Sequence, residues 1–198
     1  MDAMREMPDN AYDLAIVDPP YGIGINSQSQ GKGGGVAKKI EYTKKDWDKA
    51  IPTGKYFREL KRVSKNQIIW GGNYFPYIWK DGCRGLITWD KMVYIPTMSQ
   101  VEYAWYSEDK LPKLVKINNN DSNRLHPTQK PVALMKWCIS HLPDDTETIL
   151  DPFMGSGSTG VACMEMGRKF IGIELDKDYF DIACKRIEDA QRQYRMDL

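Results

Sequence analysis

A short unbroken apolar run, residues 14–17, is followed directly by Asp18-Pro19-Pro20-Tyr21. A run of this kind is typical of a buried strand. The two prolines must end the strand, because neither can donate a backbone hydrogen bond to a neighbour. They also hold a rigid extended turn, so Asp18 and Tyr21 project from the strand end in a fixed relation. A carboxylate, fixed carbonyls and a flat aromatic ring arranged in this way could hold a planar amine.

Strand and helix patterns alternate along the chain. Besides the strand at about 13–18, strands are predicted at 67–70, 85–89, 101–106, 148–150 and 169–174. Helices are predicted at 2–7, from 53 to 63, and at 131–141, 158–166 and 177–194. This alternation predicts an α/β fold with a mostly parallel sheet covered by helices on both faces. Within residues 101–106 the side chains alternate in character, as they do in an antiparallel strand. Residues 1–198 show no repeat and no second domain, so one domain is expected.

Two stretches interrupt the alternation. Residues 22–47 are rich in glycine, serine and glutamine and end in a cationic part. They are expected to form a long flexible loop, either a solvated linker or, because they follow the proline turn directly, a lid that closes over a substrate. Residues 107–125 are polar and turn-rich, which indicates an insertion or a simple loop.

Composition excludes several classes of protein. The net charge is only +1, so the overall charge does not indicate binding to nucleic acid. A local basic patch could still bind it. No apolar run reaches the length of a membrane span, and the N-terminal residues lack a signal-peptide pattern. The two histidines do not cluster with the cysteines, and no C-x-x-C spacing occurs. We therefore expect free thiols, a reducing cytoplasmic location and no metal site.

A glycine-rich sequence, Gly155-Ser156-Gly157-Ser158-Thr159-Gly160, lies between a predicted strand and a predicted helix. Glu174 ends the next strand, where a carboxylate can bind ribose hydroxyls. This pattern suits NAD, FAD or S-adenosylmethionine, or merely a tight strand–helix turn. Asp151, at the preceding strand end, favours a ligand with a cationic amino-acid tail over a pyrophosphate.

These motifs resemble those of a known family. Asp18-Pro19-Pro20-Tyr21 and residues 151–159 are similar to motifs IV and I of the amino-methylating DNA methyltransferases, and residues 126–131 are similar to motif X. Their order, with the catalytic motif first and the cofactor motif last, is that of the beta class. Asp18 in place of serine resembles the adenine-specific members. The likeness covers nearly the whole chain and is strongest to small phage and prophage adenine methylases.

The resemblance implies a Rossmann-like S-adenosylmethionine-dependent methyltransferase fold and methylation of N6 of a flipped adenine in double-stranded DNA. Asp18 and the Pro19 carbonyl would accept the two amine hydrogens, Pro20 would keep the turn rigid, and Tyr21 would stack on the base. The expected location is the cytoplasm of a bacterium or of a phage-infected host, with a homodimer as a possible state.

The same resemblance implies the ligand-binding residues. The cofactor would be held by Asp151, Phe153, Gly155, Ser156, Gly157, Thr159 and Glu174, with Thr128 and Lys130 at its methionine end. The candidate contacts to DNA phosphates are Lys38, Lys39, Lys44 and Lys45, for which a solvated face is the alternative interpretation.

One expected family element is not found in the sequence. Members usually carry a further strand and a Gly-Asp-Cys-like turn ahead of the helix that here begins near Met1. We therefore expect the sheet to lack one edge strand and the adenosine pocket to be open. Target recognition would depend on residues 107–125, on the 22–47 loop or on a partner subunit.

Other functions remain as alternatives. Related Pro-Pro-Tyr turns serve N4-cytosine, RNA and protein-amide methylation, and a truncated, non-catalytic nucleic-acid-binding protein is also compatible with the sequence. An NAD oxidoreductase is disfavoured, because it would not explain Asp18 to Tyr21 beside a nicotinamide.

Overall fold

The computed structural model describes residues 2–24, 48–80, 82, 84–96, 99–119, 125, 128–143 and 145–196. The strands are β1 (Tyr12–Val17), β2 (Ser64–Trp70), β3 (Leu86–Asp90), β4 (Val101–Tyr106), β5 (Lys113–Lys116), β6 (Thr148–Asp151) and β7 (Lys169–Gly172). The α-helices are α1 (Asp2–Arg5), α2 (Gly54–Val63), α3 (Val132–Ser140), α4 (Ser158–Glu165) and α5 (Lys177–Met196). Most predicted elements are thus present within a few residues of their expected bounds.

The strands form one sheet in the order β5-β3-β4-β2-β1-β6-β7. Strand β4 runs antiparallel to both of its neighbours, β2 and β3, and the other adjacent strands are parallel. This confirms the predicted mostly parallel sheet with an antiparallel component. Among the described residues no strand pairs with the outer side of β7.

The position of β1 between β2 and β6 determines where a site can form. Val17 is paired with Ile69 of β2, and Ala15 is paired with Leu150 of β6. Because parallel strands end at the same edge of a sheet, the residues after β1 and at the end of β6 are brought together. Asp18 and Asp151 therefore lie at one edge of the sheet.

Alternate residues of β1 pack against helices on opposite faces of the sheet. Leu14 and Ile16 belong to a buried cluster that contains side chains of α3 and α4. Ala15 and Val17 belong to a second cluster that contains side chains of α2. A central strand that is buried on both faces has no polar positions, which explains the unbroken apolar run.

Strand β5 corrects the expectation for residues 107–125, which were predicted to be an insertion or a loop. Residues Lys113–Lys116 pair in parallel with β3, with Leu114 opposite Thr88 and Val115 opposite Trp89. Val115 is the one buried residue of this strand. A four-residue edge strand with a single inward side chain has no clear alternation, so the sequence pattern did not reveal it.

Several predicted features fall on residues outside those described. They are most of the 22–47 loop, its candidate DNA contacts Lys38, Lys39, Lys44 and Lys45, and the first two residues of the motif X segment. The ends of that loop are tied together, because the Gly22 amide donates to Asp48 Oδ1 at 2.8 Å and the Gly24 amide donates to the Asp48 carbonyl at 3.2 Å. Within the described ranges, no helix is both long and apolar enough to cross a membrane.

Candidate active site

The turn after β1 places a carboxylate and a phenol in direct contact. Tyr21 Oη lies 2.6 Å from Asp18 Oδ1 and 2.7 Å from Glu102 Oε1 of β4. The single hydroxyl hydrogen is therefore shared between two carboxylates. Pro19 is buried beside them, whereas Pro20 lines the adjacent cavity. The prolines predicted a fixed relation between Asp18 and Tyr21, and this relation is present. A hydrogen bond from the Tyr21 hydroxyl to Asp18 Oδ1 links the two side chains.

The ring of Tyr21 packs on the turn that follows β2. It stacks on Tyr74 with ring centroids 4.7 Å apart and an interplanar angle of 12°, and it contacts Phe75 edge-on. Gly71 has φ +66°, and a Cβ there would lie 2.1 Å from the Tyr21 ring. The glycine thus provides both the left-handed conformation and the space that the ring requires.

Lys130 contacts the proline turn, Asp18 to Tyr21. Its Nζ is 2.7 Å from Asp18 Oδ2 and 2.6 Å from Glu102 Oε1, and its side chain is only 8% exposed. Glu102 also pairs with Lys91 at 2.9 Å. Sequence analysis missed Glu102 and Lys91. An acidic residue inside an otherwise apolar and aromatic strand was the available signal for Glu102, because a buried charge needs a partner.

Burial and neighbouring charges act in opposite directions on these groups. Burial raises the pKa of Asp18 above its ordinary value, although the Lys130 ammonium opposes that shift. Burial alone would also raise the pKa of Glu102, but Lys130 and Lys91 outweigh it and lower the pKa to about 2. Burial would lower the pKa of Lys130, yet the two carboxylates raise it. Glu102 and Lys130 are therefore charged at neutral pH.

The glycine loop presents a second carboxylate at the end of β6. Asp151 Oδ2 accepts a 2.7 Å hydrogen bond from the Thr159 hydroxyl, and Oδ1 accepts one of 3.0 Å from the Phe153 amide. Burial raises the pKa of Asp151 to about 7. Gly157, with φ +81°, precedes the first turn of α4. The loop therefore wraps around a carboxylate that is largely removed from water.

Glu174 approaches the same loop from the other side, after the end of β7. Its Oε2 accepts a hydrogen bond from the Gly155 amide at 3.0 Å, and its Oε1 accepts one from the Asp176 amide at 2.8 Å. Each carboxylate oxygen has two lone pairs, so Glu174 can still accept hydrogen bonds from a ligand.

The segment before α3 connects the two halves of the site. The Ser156 hydroxyl donates to Gln129 Oε1 at 2.8 Å, while the next residue, Lys130, contacts Asp18. Arg186 of α5 donates to the carbonyl and the hydroxyl oxygen of Ser156. Gln129 and Lys130 therefore tie the glycine loop to the proline turn.

A cavity of about 700 Å³ opens between these groups, which is a size typical of small-molecule sites. Most of the predicted site residues line it: Asp18, Pro20, Thr128, Lys130, Asp151, Phe153, Gly155, Ser156, Thr159 and Glu174. Pro19, Tyr21 and Gly157 border this region without lining the cavity. In the part of the chain that the structure describes, no group of three or more His, Cys, Asp or Glu side chains is placed to hold a metal ion.

The arrangement has two chemically distinct ends. At one end, carboxylates on Asp151 and Glu174 face a glycine loop at a helix start, which suits a nucleoside with a cationic tail. At the other end, Asp18 provides a hydrogen-bond acceptor, and the aromatic ring of Tyr21 lies beside it. One cavity could thus hold a cofactor beside the amine that receives its group.

Comparisons with known proteins show the family of this chain. The model of the N6/N4 methyltransferase family, described as DNA methylase, matches residues 62–185. The chain is 30% identical to the putative methylase YubD of Escherichia coli (strain K12), covering 96% of this chain and 87% of that protein. It is 29% identical to the type II methyltransferase M2.DpnII of Streptococcus pneumoniae, covering 93% of this chain and 85% of that protein.

Solved structures share the fold. The crystal structure of the M1.HpyAVI–SAM complex matches with a TM-score of 0.59 and 25% identity, covering 93% of this chain and 92% of that one. The cytosine-N4-specific PvuII DNA methyltransferase matches with a TM-score of 0.61 over 96% of this chain and 88% of its own, at 15% identity. At that identity the PvuII match supports the Rossmann-like fold alone.

Proposed function

Because the chain belongs to the N6/N4 DNA methylase family, we propose that it transfers a methyl group from S-adenosylmethionine to N6 of an adenine flipped out of double-stranded DNA. One observation carries the proposal. One cavity is lined both by Asp151 and Glu174 and by Asp18. A methyl donor and an acceptor amine could therefore meet inside it.

The residues around the glycine loop fit S-adenosylmethionine. The Ser158 hydroxyl lines the cavity and is buried without a hydrogen-bond partner among the described atoms. A ligand group at this helix start would satisfy it. Asp151 would face the cationic amino group, Glu174 the ribose hydroxyls and Phe153 an apolar edge of the cofactor. When bound, the cofactor supplies an electrophilic methyl group on a sulfonium centre.

Asp18 and Tyr21 would prepare the amine. The exocyclic nitrogen of adenine is conjugated with its ring and is a poor nucleophile. Asp18 and the Pro19 carbonyl would accept its two hydrogens, which favours a tetrahedral nitrogen with an available lone pair. Tyr21, backed by Tyr74, would support the base by stacking. Positioning supplies most of the catalysis, so no strong base is required.

Further parts of the proposal come from the sequence. Asp18 stands where cytosine-specific relatives carry serine, which favours adenine as the target base. Lys38, Lys39, Lys44 and Lys45 are proposed to contact DNA phosphates, because they are clustered between the proline turn and Asp48. We place this activity in one catalytic domain, in the cytoplasm of a bacterium or of a phage-infected host. A homodimer is a further part of the proposal, and sedimentation measures the oligomeric state that tests it.

The proposal is tested by tritium transfer from labelled S-adenosylmethionine into DNA of mixed sequence, followed by identification of the modified base. Wild type should label adenine, and Asp18→Ala should lower the rate at least about 100-fold, because the amine loses its acceptor. Asp181→Ala, at an exposed position of α5, is the matched control and should retain the wild-type rate. Label in cytosine or RNA, or equal rates for Asp18→Ala and wild type, would contradict the proposal.

A further inference from the structure

Lys130 Nζ lies within hydrogen-bonding distance of three oxygen atoms that belong to the proline turn and to Glu102, which supports it. Asp18 Oδ2 lies at 2.7 Å, Glu102 Oε1 at 2.6 Å and the Tyr21 hydroxyl at 3.4 Å. An ammonium group has three donors and no acceptor. The protein itself thus offers an acceptor for each donor, two of them at short distance, whereas the resemblance assigned Lys130 to the methionine end of the cofactor.

Glu102 holds Lys130 in this position from the opposite side. Its Oε1 accepts from Lys130 and its Oε2 accepts from Lys91, and the Glu102 side chain is 15% exposed. Strand β4 is paired on both edges, which makes it a rigid support for Glu102. The ammonium group is therefore fixed between a structural carboxylate and the carboxylate of the proline turn.

Both oxygens of Asp18 are oriented by these contacts. Tyr21 contacts Oδ1 and Lys130 contacts Oδ2, so the carboxylate plane cannot rotate without breaking one of them. Each oxygen retains a further lone pair for an incoming amine hydrogen.

We propose that Lys130, anchored by Glu102, is a positioning residue that fixes the Asp18 carboxylate for the acceptor amine and keeps Asp18 ionised. The inference rests on the proposed function for what Asp18 does, but the contacts between Lys130, Glu102 and Asp18 do not depend on it. Lys130 thereby acts on the amine through Asp18 and leaves cofactor binding to the glycine loop.

The charges that face Asp18 lead to opposite effects for two substitutions. These groups are Lys130, the Glu102 carboxylate on β4, the Tyr21 hydroxyl and, across the cavity, Asp151 of β6. Lys130→Met leaves Asp18 beside two carboxylates without a cation, so Asp18 should protonate at a higher pH. Glu102→Gln removes a neighbouring negative charge, and Lys130 then no longer shares its charge between Glu102 and Asp18. Asp18 should therefore protonate at a lower pH.

The first experiment needs no enzymatic activity. The protein is labelled with carbon-13 at the aspartate carboxyl carbons, the Asp18 resonance is assigned with Asp18→Asn, and its titration is followed by NMR. We expect the midpoint to rise by about one pH unit in Lys130→Met and to fall in Glu102→Gln. Lys91→Met removes a lysine that contacts Glu102 but not Asp18, and it should shift the midpoint less than Lys130→Met.

Removing one member of a buried ion pair can prevent folding, so a second variant covers that case. The double variant Glu102→Gln/Lys130→Met removes both charges together. Because Lys130 affects the pKa of Asp18 more strongly than Glu102 does, the Asp18 midpoint of the double variant should lie above that of wild type. Unchanged midpoints, or shifts in the same direction for Lys130→Met and Glu102→Gln, would overturn the inference. A double variant whose midpoint is equal to or below that of wild type would also overturn it.

The second experiment separates a positioning role from a cofactor contact. Calorimetry with S-adenosylmethionine should give Lys130→Met a Kd within about twofold of wild type, while its kcat falls about tenfold or more. The acid limb of its kcat profile should move to higher pH. A tenfold weaker Kd with an unchanged Asp18 midpoint would make Lys130 a cofactor ligand instead. If wild type transfers no methyl group, the proposed function fails, while the NMR midpoints still decide the role of Lys130.

Discussion

The Asp151 carboxylate accepts a 2.7 Å hydrogen bond from the Thr159 hydroxyl at the junction of β6 and α4. This contact and the bond from the Phe153 amide favour the ionised carboxylate, yet burial outweighs them and raises the pKa of Asp151 to about 7. In the cofactor-free protein the Asp151 carboxyl is therefore about half ionised at neutral pH.

Cofactor affinity should increase with pH up to about 7 and then level off. A cationic amino group favours the ionised form of Asp151, so binding below this pKa requires loss of a proton and weakens by up to about tenfold per pH unit. Calorimetry with S-adenosylmethionine between pH 5 and pH 8 measures this slope. Asp151→Asn should bind more weakly and with a flatter pH profile. An identical slope in wild type and Asp151→Asn would contradict the assignment.

The same carboxyl should make the cofactor-free protein less stable as pH rises. Its pKa in the folded protein is raised above the unfolded value of about 3.9, so the stability it contributes is complete below that value. That contribution is lost as pH rises through about 7. Asp151→Asn avoids this loss, and its Tm should exceed that of wild type by about 5 °C at pH 8. The gap should shrink at pH 4.5; a gap independent of pH would show that Asp151 is not responsible.

Gly71→Ala should damage both stability and activity more than an otherwise similar substitution. A Cβ at Gly71 would lie 2.1 Å from the Tyr21 ring, so the ring must move. Gly82 has a similar φ of +72°, and a Cβ there meets no other described atom within 4 Å. Gly82→Ala should cost about 1 kcal/mol from backbone strain alone, and Gly71→Ala about 2 kcal/mol more.

Urea unfolding and the methyl transfer assay measure this comparison. The rate of Gly71→Ala should fall at least about tenfold because Tyr21 is displaced. Gly82→Ala should keep the wild-type rate. Equal losses in the two variants would show that the contact between Gly71 and Tyr21 is unimportant.

Glu174→Gln should weaken cofactor binding by shifting the glycine loop and removing a charge. The Glu174 carboxylate accepts amide hydrogens from both Gly155 and Asp176, whereas an amide side chain offers only one oxygen. We expect about a tenfold higher Kd for S-adenosylmethionine by calorimetry. Glu165→Gln, at the end of α4, removes a surface ion pair with Lys136 and serves as control. Similar Kd values for wild type and Glu174→Gln would exclude this role.

Asp13 should support the sheet most strongly near neutral pH. Its Oδ2 accepts from the Glu147 amide and from the Thr148 amide and hydroxyl, and Oδ1 accepts from Lys65 at 2.7 Å. Burial alone would raise its pKa, but these bonds together lower it far below the ordinary value. The carboxylate thus ties the start of β1 to the starts of β6 and β2.

Asp13→Asn should lower the free energy of unfolding by about 2 kcal/mol at pH 7. A lowered pKa contributes stability above the unfolded value of about 3.9, and this contribution is lost as pH falls toward the folded pKa. The difference from wild type should therefore be smaller at pH 3 than at pH 7 in urea unfolding. Asp9→Asn, which removes an exposed ion pair with Arg62, should change stability by less than about 1 kcal/mol. A larger Asp13→Asn effect at pH 3 would contradict this account.

Local sequence rules were sufficient for the elements that carry the candidate site. The apolar runs predicted β1 and β6, and the prolines and glycines predicted where each strand ends. Parallel order then placed Asp18 and Asp151 at one edge of the sheet. These features follow from backbone restrictions and periodicity, which act over a few residues and can be read from a single chain.

The partners of the site residues were decided only by the tertiary structure. Glu102 meets Tyr21 across 81 positions of sequence, because β4 inserts antiparallel between β2 and β3. Lys130 belongs by sequence to a segment near the cofactor motif, yet its ammonium group lies against Asp18. Buried charges pair with whatever opposite charge the sheet order brings near, and that order depends on the packing of the whole chain. The sequence determined which groups lie at the strand ends, and the fold determined which of them contact one another.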